Sequence, residues 1–257
     1  MSKVVVVGSS GHARVVLDLL EKEGEHRVVG LIDRFRRPGE ETLGYPVLGG
    51  EEVLPGLVAR GAVEAGLVAI GDNWARGQVS LALSALVPGF RLITAVHPRA
   101  CVARDVSLGD GTVVLAGAVV GPCCRVGRGC VLNTNASLDH DSRLGDFASL
   151  GPRAVTGGYV RVGAYSAVGI GAVVVENVSI GEETVIGAGA TVLRDVAANV
   201  VAYGTPARAV RGRAASDPYL RPVPPSGRLP DALCPVPTSP PVLALDPEGV
   251  RAAGALP

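Results

Sequence analysis

The chain carries 24 basic and 24 acidic residues in a length of 257, so its formal net charge is zero, and only 4% of it is aromatic. The lack of a long basic run argues against a nucleic-acid surface, and the lack of an apolar run of about 18 residues argues against a membrane-spanning helix. Residues 1–8, Met-Ser-Lys-Val-Val-Val-Val-Gly, are too short for a secretory leader, so a soluble cytoplasmic protein with room for two domains is expected.

Residues 3–7 form an apolar β-branched run that stops at Gly8-Ser9-Ser10-Gly11-His12-Ala13, after which Val15, Val16, Leu17, Leu19 and Leu20 recur at helical spacing. This reads as strand, glycine turn and helix. A second strand over 28–32 ends at Asp33. A short strand over 46–48 and a helix over 51–59 follow. A strand over 67–70 then closes on Gly71-Asp72-Asn73 and leads into a helix over 75–86. The alternation predicts a small Rossmann-like parallel α/β sheet within residues 1–95, with ligands at the carboxyl ends of its strands. Gly8, Ser10 and Gly11 place backbone N–H groups and a helix N-terminus where a phosphate fits, although the same glycines would also serve a plain tight turn. The full dinucleotide fingerprint Gly-x-Gly-x-x-Gly is absent.

From Val96 the period changes to six. The column Val96, Val102, Leu108, Val114, Val120, Val126, Leu132, Leu138, Leu144, Leu150, Thr156, Val162, Val168, Val174, Ile180, Ile186 and Val192 is aliphatic at sixteen of seventeen positions. The next residue is mostly Gly, as at Gly109, Gly121, Gly127 and Gly145, which is read as backbone freedom for a bend after each short strand. Four residues after each aliphatic comes a smaller side chain, such as Ala118, Cys124, Cys130, Ala136, Ser142 and Ala148. Both columns must point inward. A strict six-residue period belongs to a hexapeptide β-helix, in which three hexads close one triangular coil and coils stack about 4.8 Å apart. Residues 96–213 are assigned to this domain.

Five cysteines (Cys101, Cys123, Cys124, Cys130, Cys234) form neither a disulfide framework nor a Cys-x-x-Cys pair, and Cys124 and Cys130 fall in the inward column, so packing is their expected role. No metal site is expected.

Two histidines lie on the repeat. His97 falls near the domain junction, whereas His140 sits two positions past the inward Leu138, where a side chain points outward at a corner. Around it, Asn133-Thr134-Asn135 and Asp139-His140-Asp141 interrupt the glycine column. Gly158 lies eighteen residues beyond His140, at the equivalent corner of the next coil. Such a corner suits acyl transfer to an amine or hydroxyl. A neutral imidazole accepts the nucleophile's proton, Asp141 or Asp139 fixes its tautomer, and a backbone N–H near Gly158 meets the thioester oxygen.

The repeat units Val-Gly-Arg-Gly-Cys-Val and Ile-Gly-Ala-Gly-Ala-Thr resemble the hexapeptide-repeat acyltransferases. Together with Gly-Ser-Ser-Gly-His-Ala, Leu-Ile-Asp and Ala-Ile-Gly-Asp-Asn, they resemble bacterial sugar acetyltransferases, a family that includes sialic acid O-acetyltransferases and N-acetyltransferases of nucleotide-linked 4-amino-sugars. The resemblance implies a left-handed β-helix, a homotrimer, acetyl-CoA as co-substrate and a nucleotide-linked sugar as acceptor. It implies His140 as general base with Asp141 as its acidic partner, and Gly158 as the amide that contacts the acetyl group. Gly11, His12, Asp33, Gly71, Asp72 and Asn73 become nucleotide-sugar contacts. Val200-Val201-Ala202-Tyr203-Gly204-Thr205-Pro206-Ala207-Arg208 resembles the family's closing segment, which assigns Gly204, Pro206, Ala207 and Arg208 to CoA, with Arg211 near its phosphates. Relatives carry a second histidine where this chain has Ser149, which is therefore the acyl-donor contact that departs from the pattern.

Residues 214–257 hold eleven of the nineteen prolines and no hydrophobic period, so an extended or disordered tail is expected. Two other functions fit the same fold: a non-catalytic binding or scaffold protein, and a metal hydratase similar to γ-class carbonic anhydrases, which would need three histidines around zinc.

Overall fold

The structure, a computed structural model, describes residues 1–214 and 216–220. Most of the predicted tail, with Cys234, lies outside the described residues.

The amino-terminal part contains β1 (Ser2–Val7), α1 (Gly11–Glu23), β2 (His26–Ile32), β3 (Glu41–Thr42), β4 (Tyr45–Gly49), α2 (Leu54–Ala59), β5 (Ala65–Val68), α3 (Asn73–Leu86) and β6 (Arg91–Leu92). The sheet order is β3-β4-β2-β1-β5-β6, parallel except for the β3–β4 pair. β1 is buried on both faces, which is why it reads as an unbroken valine run. Leu17, Leu19 and Leu20 of α1 cover one face, while Leu54 and Leu57 of α2 and Leu83 of α3 cover the other. Three boundaries move relative to the sequence reading. α1 begins at Gly11, α3 begins at Asn73 because the Asp72 carboxylate caps it by accepting from Ala75 N at 3.0 Å, and the helix over 51–59 opens as a 3₁₀ turn, Glu51–Val53.

From Ala95 to Val192 every strand is two residues long and pairs in parallel with the strand eighteen residues away, as in Val113↔Val131, Val119↔Ser137 and Arg125↔Arg143. Three flat sheets result, beginning at Ala95–Val96, Cys101–Val102 and Ser107–Leu108, and they form the first, second and third faces of a left-handed β-helix. The aliphatic column is buried from Val114 to Val192. In the first coil Val102 remains 37% exposed, because no earlier coil covers it. Inward hydroxyls are satisfied between coils. Thr112 donates to Gly127 O at 2.8 Å and accepts from Cys130 N at 3.0 Å, and Ser166 donates to Gly181 O at 2.7 Å and accepts from Thr184 N at 2.9 Å.

The glycine column has a different cause from the one read in sequence. The residue that bends the chain lies two positions later and takes positive φ at each corner from Asp105 to Gly189, whether it is Gly117 or a non-glycine such as Asn135, Asp141 or Tyr159. The glycine after the aliphatic makes room for the next coil: a Cβ on Gly121 would lie 2.6 Å from His140 N, and one on Gly145 would lie 2.6 Å from Ala164 N.

The two parts share a hydrophobic cluster, in which Val16 and Leu20 of α1 pack with Ala95, Val113 and Leu115 of the first coils. Val200–Tyr203 and Arg208–Gly212 close the far end as an antiparallel hairpin.

Candidate active site

Three features stand apart on this frame. The first is a cavity of 680 Å³ at the carboxyl ends of β1, β2 and β5, lined by Gly8, Ser9, Ser10, Asp33, Phe35 and Trp74 among others. Gly8 is required there, with φ +105° and a would-be Cβ 3.1 Å from Ala69 O, whereas a Cβ on Gly11 would meet nothing. Asp33 accepts from the Ser9 hydroxyl and from Phe35 N at 2.9 Å, which fixes the carboxylate at the cavity wall. At its mouth Arg34 and Glu51 form a forked ion pair at 2.8–3.2 Å. Sequence reading missed Ser9, Phe35 and Trp74; the position of Ser9 inside the glycine turn was the available signal.

The second feature is a cleft of 560 Å³ between the start of α1 and the first face, lined by Gly11, His12, Gly71, Asn133, Ser149, Tyr219 and others. His12 Nε2 is sealed from solvent and has no partner among the described residues. Burial, reinforced by the charge of Arg76, lowers its pKa to about 4, so the ring is neutral at pH 7. Tyr219 enters this cleft from the carboxyl-terminal side, its hydroxyl 3.4 Å from Gly71 O and hydrogen-bonded to Ser149, and burial raises its pKa. Arg213 stacks over its ring at 5.9 Å.

Of the Gly71-Asp72-Asn73 turn, only Gly71 faces the cleft. Asp72 is spent on capping α3, and Asn73 is buried and donates to Ser166 O at 3.0 Å and Tyr165 O at 3.4 Å. The Asn73 side chain thus joins α3 to the coil, whereas the Asp72 carboxylate serves the start of α3 itself. Arg76, which the sequence did not single out, completes that joint. It is 1% exposed, and its guanidinium donates to Gly129 O, Phe147 O, Ile70 O, Gly71 O and Asn73 Oδ1 at 2.7–3.1 Å, with no carboxylate among these partners. Gly77 presses against Tyr165 at the same place, where a Cβ would lie 2.5 Å from the ring.

The third feature is the corner between the second and third faces. His140 lies on the turn between Ser137–Leu138 and Arg143–Leu144, where Asp141 adopts φ 57°. His140 Nδ1 is 2.9 Å from Asp141 Oδ2, and this hydrogen bond, with further support from the charges of Asp139 and Asp141, raises the pKa of the exposed ring. Asp139 Oδ1 accepts from His140 N at 2.7 Å, while Asp139 N donates to Thr156 Oγ1 at 3.1 Å. Thr156, the one departure from the aliphatic column, thus anchors the histidine turn from inside. Tyr159 packs edge-on against the imidazole at 5.2 Å. The ring leans over Gly158, where a Cβ would lie 2.6 Å from both Cε1 and Nε2. Among the described residues the Gly158 N–H has no acceptor. The polar cluster read around His140 is split: Asn133 and Asn135 belong to the corner between the first and second faces, and Asn133 lines the cleft with Ser149.

Gly204, Pro206, Ala207 and Arg208 lie in the closing hairpin, where Thr191 N donates to Gly204 O at 3.0 Å and Ala207 N donates to Thr191 O at 2.8 Å. Arg208 is exposed, and Arg211 lies 3.7 Å from Asp217. His97 is buried at the first coil, where its Nδ1 accepts from Arg99 N at 3.0 Å. Cys124 and Cys130 are buried in the interior column. Among the described residues no three His, Cys, Asp or Glu side chains converge as a metal-binding set, and no helix is long and apolar enough to cross a membrane.

An α/β domain with a cavity at its strand ends is thus followed by a β-helix that carries a histidine–carboxylate pair at one corner. The chain belongs to the nucleotide-amino-sugar N-acetyltransferase family. Residues 3–83 match the model of the PglD N-terminal domain. PerB from Caulobacter crescentus, whose structure holds CoA and GDP-perosamine, is 38% identical, with 82% of this chain and 98% of that one covered and a TM-score of 0.77. The acetyltransferase domain of PglB from Neisseria gonorrhoeae, in complex with acetyl coenzyme A, is 32% identical over 81% and 99% of the two chains, with a TM-score of 0.75. The UDP-N-acetylbacillosamine N-acetyltransferase of Bacillus subtilis is 33% identical over 122 residues, a match that spans 45% of this chain and about half (52%) of that enzyme.

Proposed function

We propose that the protein transfers an acetyl group from acetyl-CoA to the amino group of a nucleotide-linked sugar. The observation that carries this reading is the His140 corner, with an imidazole whose Nδ1 is held by Asp141 and whose ring lies over the Gly158 backbone. Nδ1–H donates to Asp141, which leaves Nε2 as the base that takes a proton from the attacking amine. The Gly158 N–H, which no acceptor in the described residues occupies, is the donor for the thioester oxygen as charge develops. Direct attack needs no acyl-enzyme.

The nucleotide occupies the cavity bounded by Gly8, Ser10 and Asp33, and the sugar extends towards Gly11, His12 and Gly71. Ser149 and the closing hairpin, with Gly204, Pro206, Ala207 and Arg208, serve acetyl-CoA. On this chain's own surface, His140 and the α/β domain belong to different corners of the coil, which supports a homotrimer in which one subunit's imidazole meets another's sugar. The exposed valines of the second face, Val119 at 41% and Val173 at 40%, supply apolar surface for it. Acetyl-CoA and nucleotide sugars are cytoplasmic metabolites, and we assign the protein there.

The test is thiol release from acetyl-CoA with a panel of nucleotide-linked amino-sugars, for the wild type and for His140→Ala. Turnover that disappears in the variant while the oligomer persists is the expected result. Undiminished turnover in His140→Ala would refute the mechanism, and CoA binding without thiol release from any acceptor would leave a binding protein.

A further inference from the structure

The corner that carries His140 continues beyond Gly158 to Glu176, another eighteen residues on. The register across this step is unbroken, with Val155↔Val173 and Thr156↔Val174 paired and Asn177 N donating to Gly158 O at 3.0 Å. Glu176 therefore stands two coils above the His140 backbone at the same corner, with its side chain exposed. The imidazole does not stay in its own layer. It reaches up over Gly158, and its Nε2 lies 2.6 Å from where a Cβ would be. Glu176 itself starts from the layer directly above, its Cβ 3.1 Å from where a Cβ on Gly157 would be. Because Gly158 contributes no side chain, the imidazole fills its layer of the corner and Glu176 holds the same corner in the next layer up.

The other two carboxylates of the corner are already engaged: Asp141 holds Nδ1 and Asp139 accepts from His140 N. Glu176 has no hydrogen-bond or ion-pair partner among the described residues. We propose that Glu176 receives the acceptor's amino group in its ammonium form and holds it beside Nε2, so that the site selects a sugar amine over a sugar hydroxyl. This deepens the transferase reading and rests on it for the chemistry that follows. A primary amine is largely protonated at neutral pH and cannot attack in that state. The carboxylate gathers the cation, and neutral His140 takes one of its protons. The freed nitrogen then bonds to the thioester carbon as the carbon–sulfur bond breaks. The leaving thiolate takes up a second proton from that nitrogen, and the first passes from the imidazolium to solvent.

The experiment measures binding without an acyl donor, using a nucleotide-linked 4-amino-sugar and its 4-hydroxy counterpart with the wild type and Glu176→Gln. The wild type is expected to bind the amine about tenfold more tightly, and Glu176→Gln to bring the two within a factor of about two while acetyl-CoA affinity is unchanged. A wild type that does not distinguish the two, or a Glu176→Gln variant that keeps the full preference, overturns the proposal. Because no turnover is read, the result is separate from the transferase reading. Thiol release failing in the wild type would sink that reading alone, and failure of the wild type to bind either sugar would sink both.

Discussion

The His140 imidazole occupies the space that a side chain on Gly158 would need, with Cε1 and Nε2 both 2.6 Å from the position of a Cβ. Gly158 is not among the residues of positive φ, so the backbone itself would tolerate alanine and the restriction comes from the ring. Gly158→Ala must therefore push the imidazole off its resting place and away from the Asp141 bond. Thiol-release assays should show kcat/KM falling roughly 10²-fold, as expected when a reacting group is displaced by about 1 Å, with the melting temperature nearly unchanged. Near-normal activity would separate the ring's position from the chemistry.

Asp141 raises the pKa of His140 above the usual 6.5, chiefly by the hydrogen bond to Nδ1, which outweighs the opposing effect of desolvation, and the charges of Asp139 and Asp141 add to the rise. The base works in its neutral form, so kcat/KM should rise with pH through that raised pKa and then level off. Asp141→Asn removes the negative charge and the pure acceptor that fixes the tautomer. The acidic limb should move to lower pH and the plateau should fall by roughly 10²-fold or more. A pH profile that keeps its limb in place contradicts the assignment.

How far the sequence speaks depends on what each residue answers to. Leu138 and Val162 face a narrow interior that admits aliphatics, so their six-residue beat gave the coil, its register and the shared corner of His140 and Gly158. Gly121 answers to the coil above it rather than to its own φ, and no single-strand reading separates those two causes. Asn73 and Arg76 were opaque for a related reason: their partners are backbone carbonyls some 53 to 93 residues away, which leave no mark in the partner's side-chain identity. Thr156 was legible in principle, since one hydroxyl in a column of aliphatics marks an internal acceptor, here for Asp139 N.

The Arg76 guanidinium is buried against five neutral oxygen acceptors, and burial lowers its pKa. Arg76→Met retains most of the volume but leaves several buried carbonyls without donors, each worth roughly 1–3 kcal/mol. Chemical denaturation should show a loss of about 3 kcal/mol or more, and Arg76→Lys should rescue little of it because an ammonium lacks the planar fork that reaches both α3 and the coil. A loss under about 1 kcal/mol would mean that the two parts are held by the apolar cluster of α1 alone.

His12 gives the fold a dependence on acid. Its pKa is about 4 in the folded chain, against the usual 6.5 once unfolded, so between those values the unfolded chain binds the extra proton and the native one does not. Stability from this residue is therefore complete above pH 6.5 and falls as the pH drops towards 4, by about 3 kcal/mol over the window. His12→Gln removes the proton site. Denaturation midpoints for the two proteins, measured at half-unit steps from pH 4 to pH 7, should converge towards the acid end as the wild type loses that contribution. Parallel curves across the whole window would show that the His12 ring has access to water.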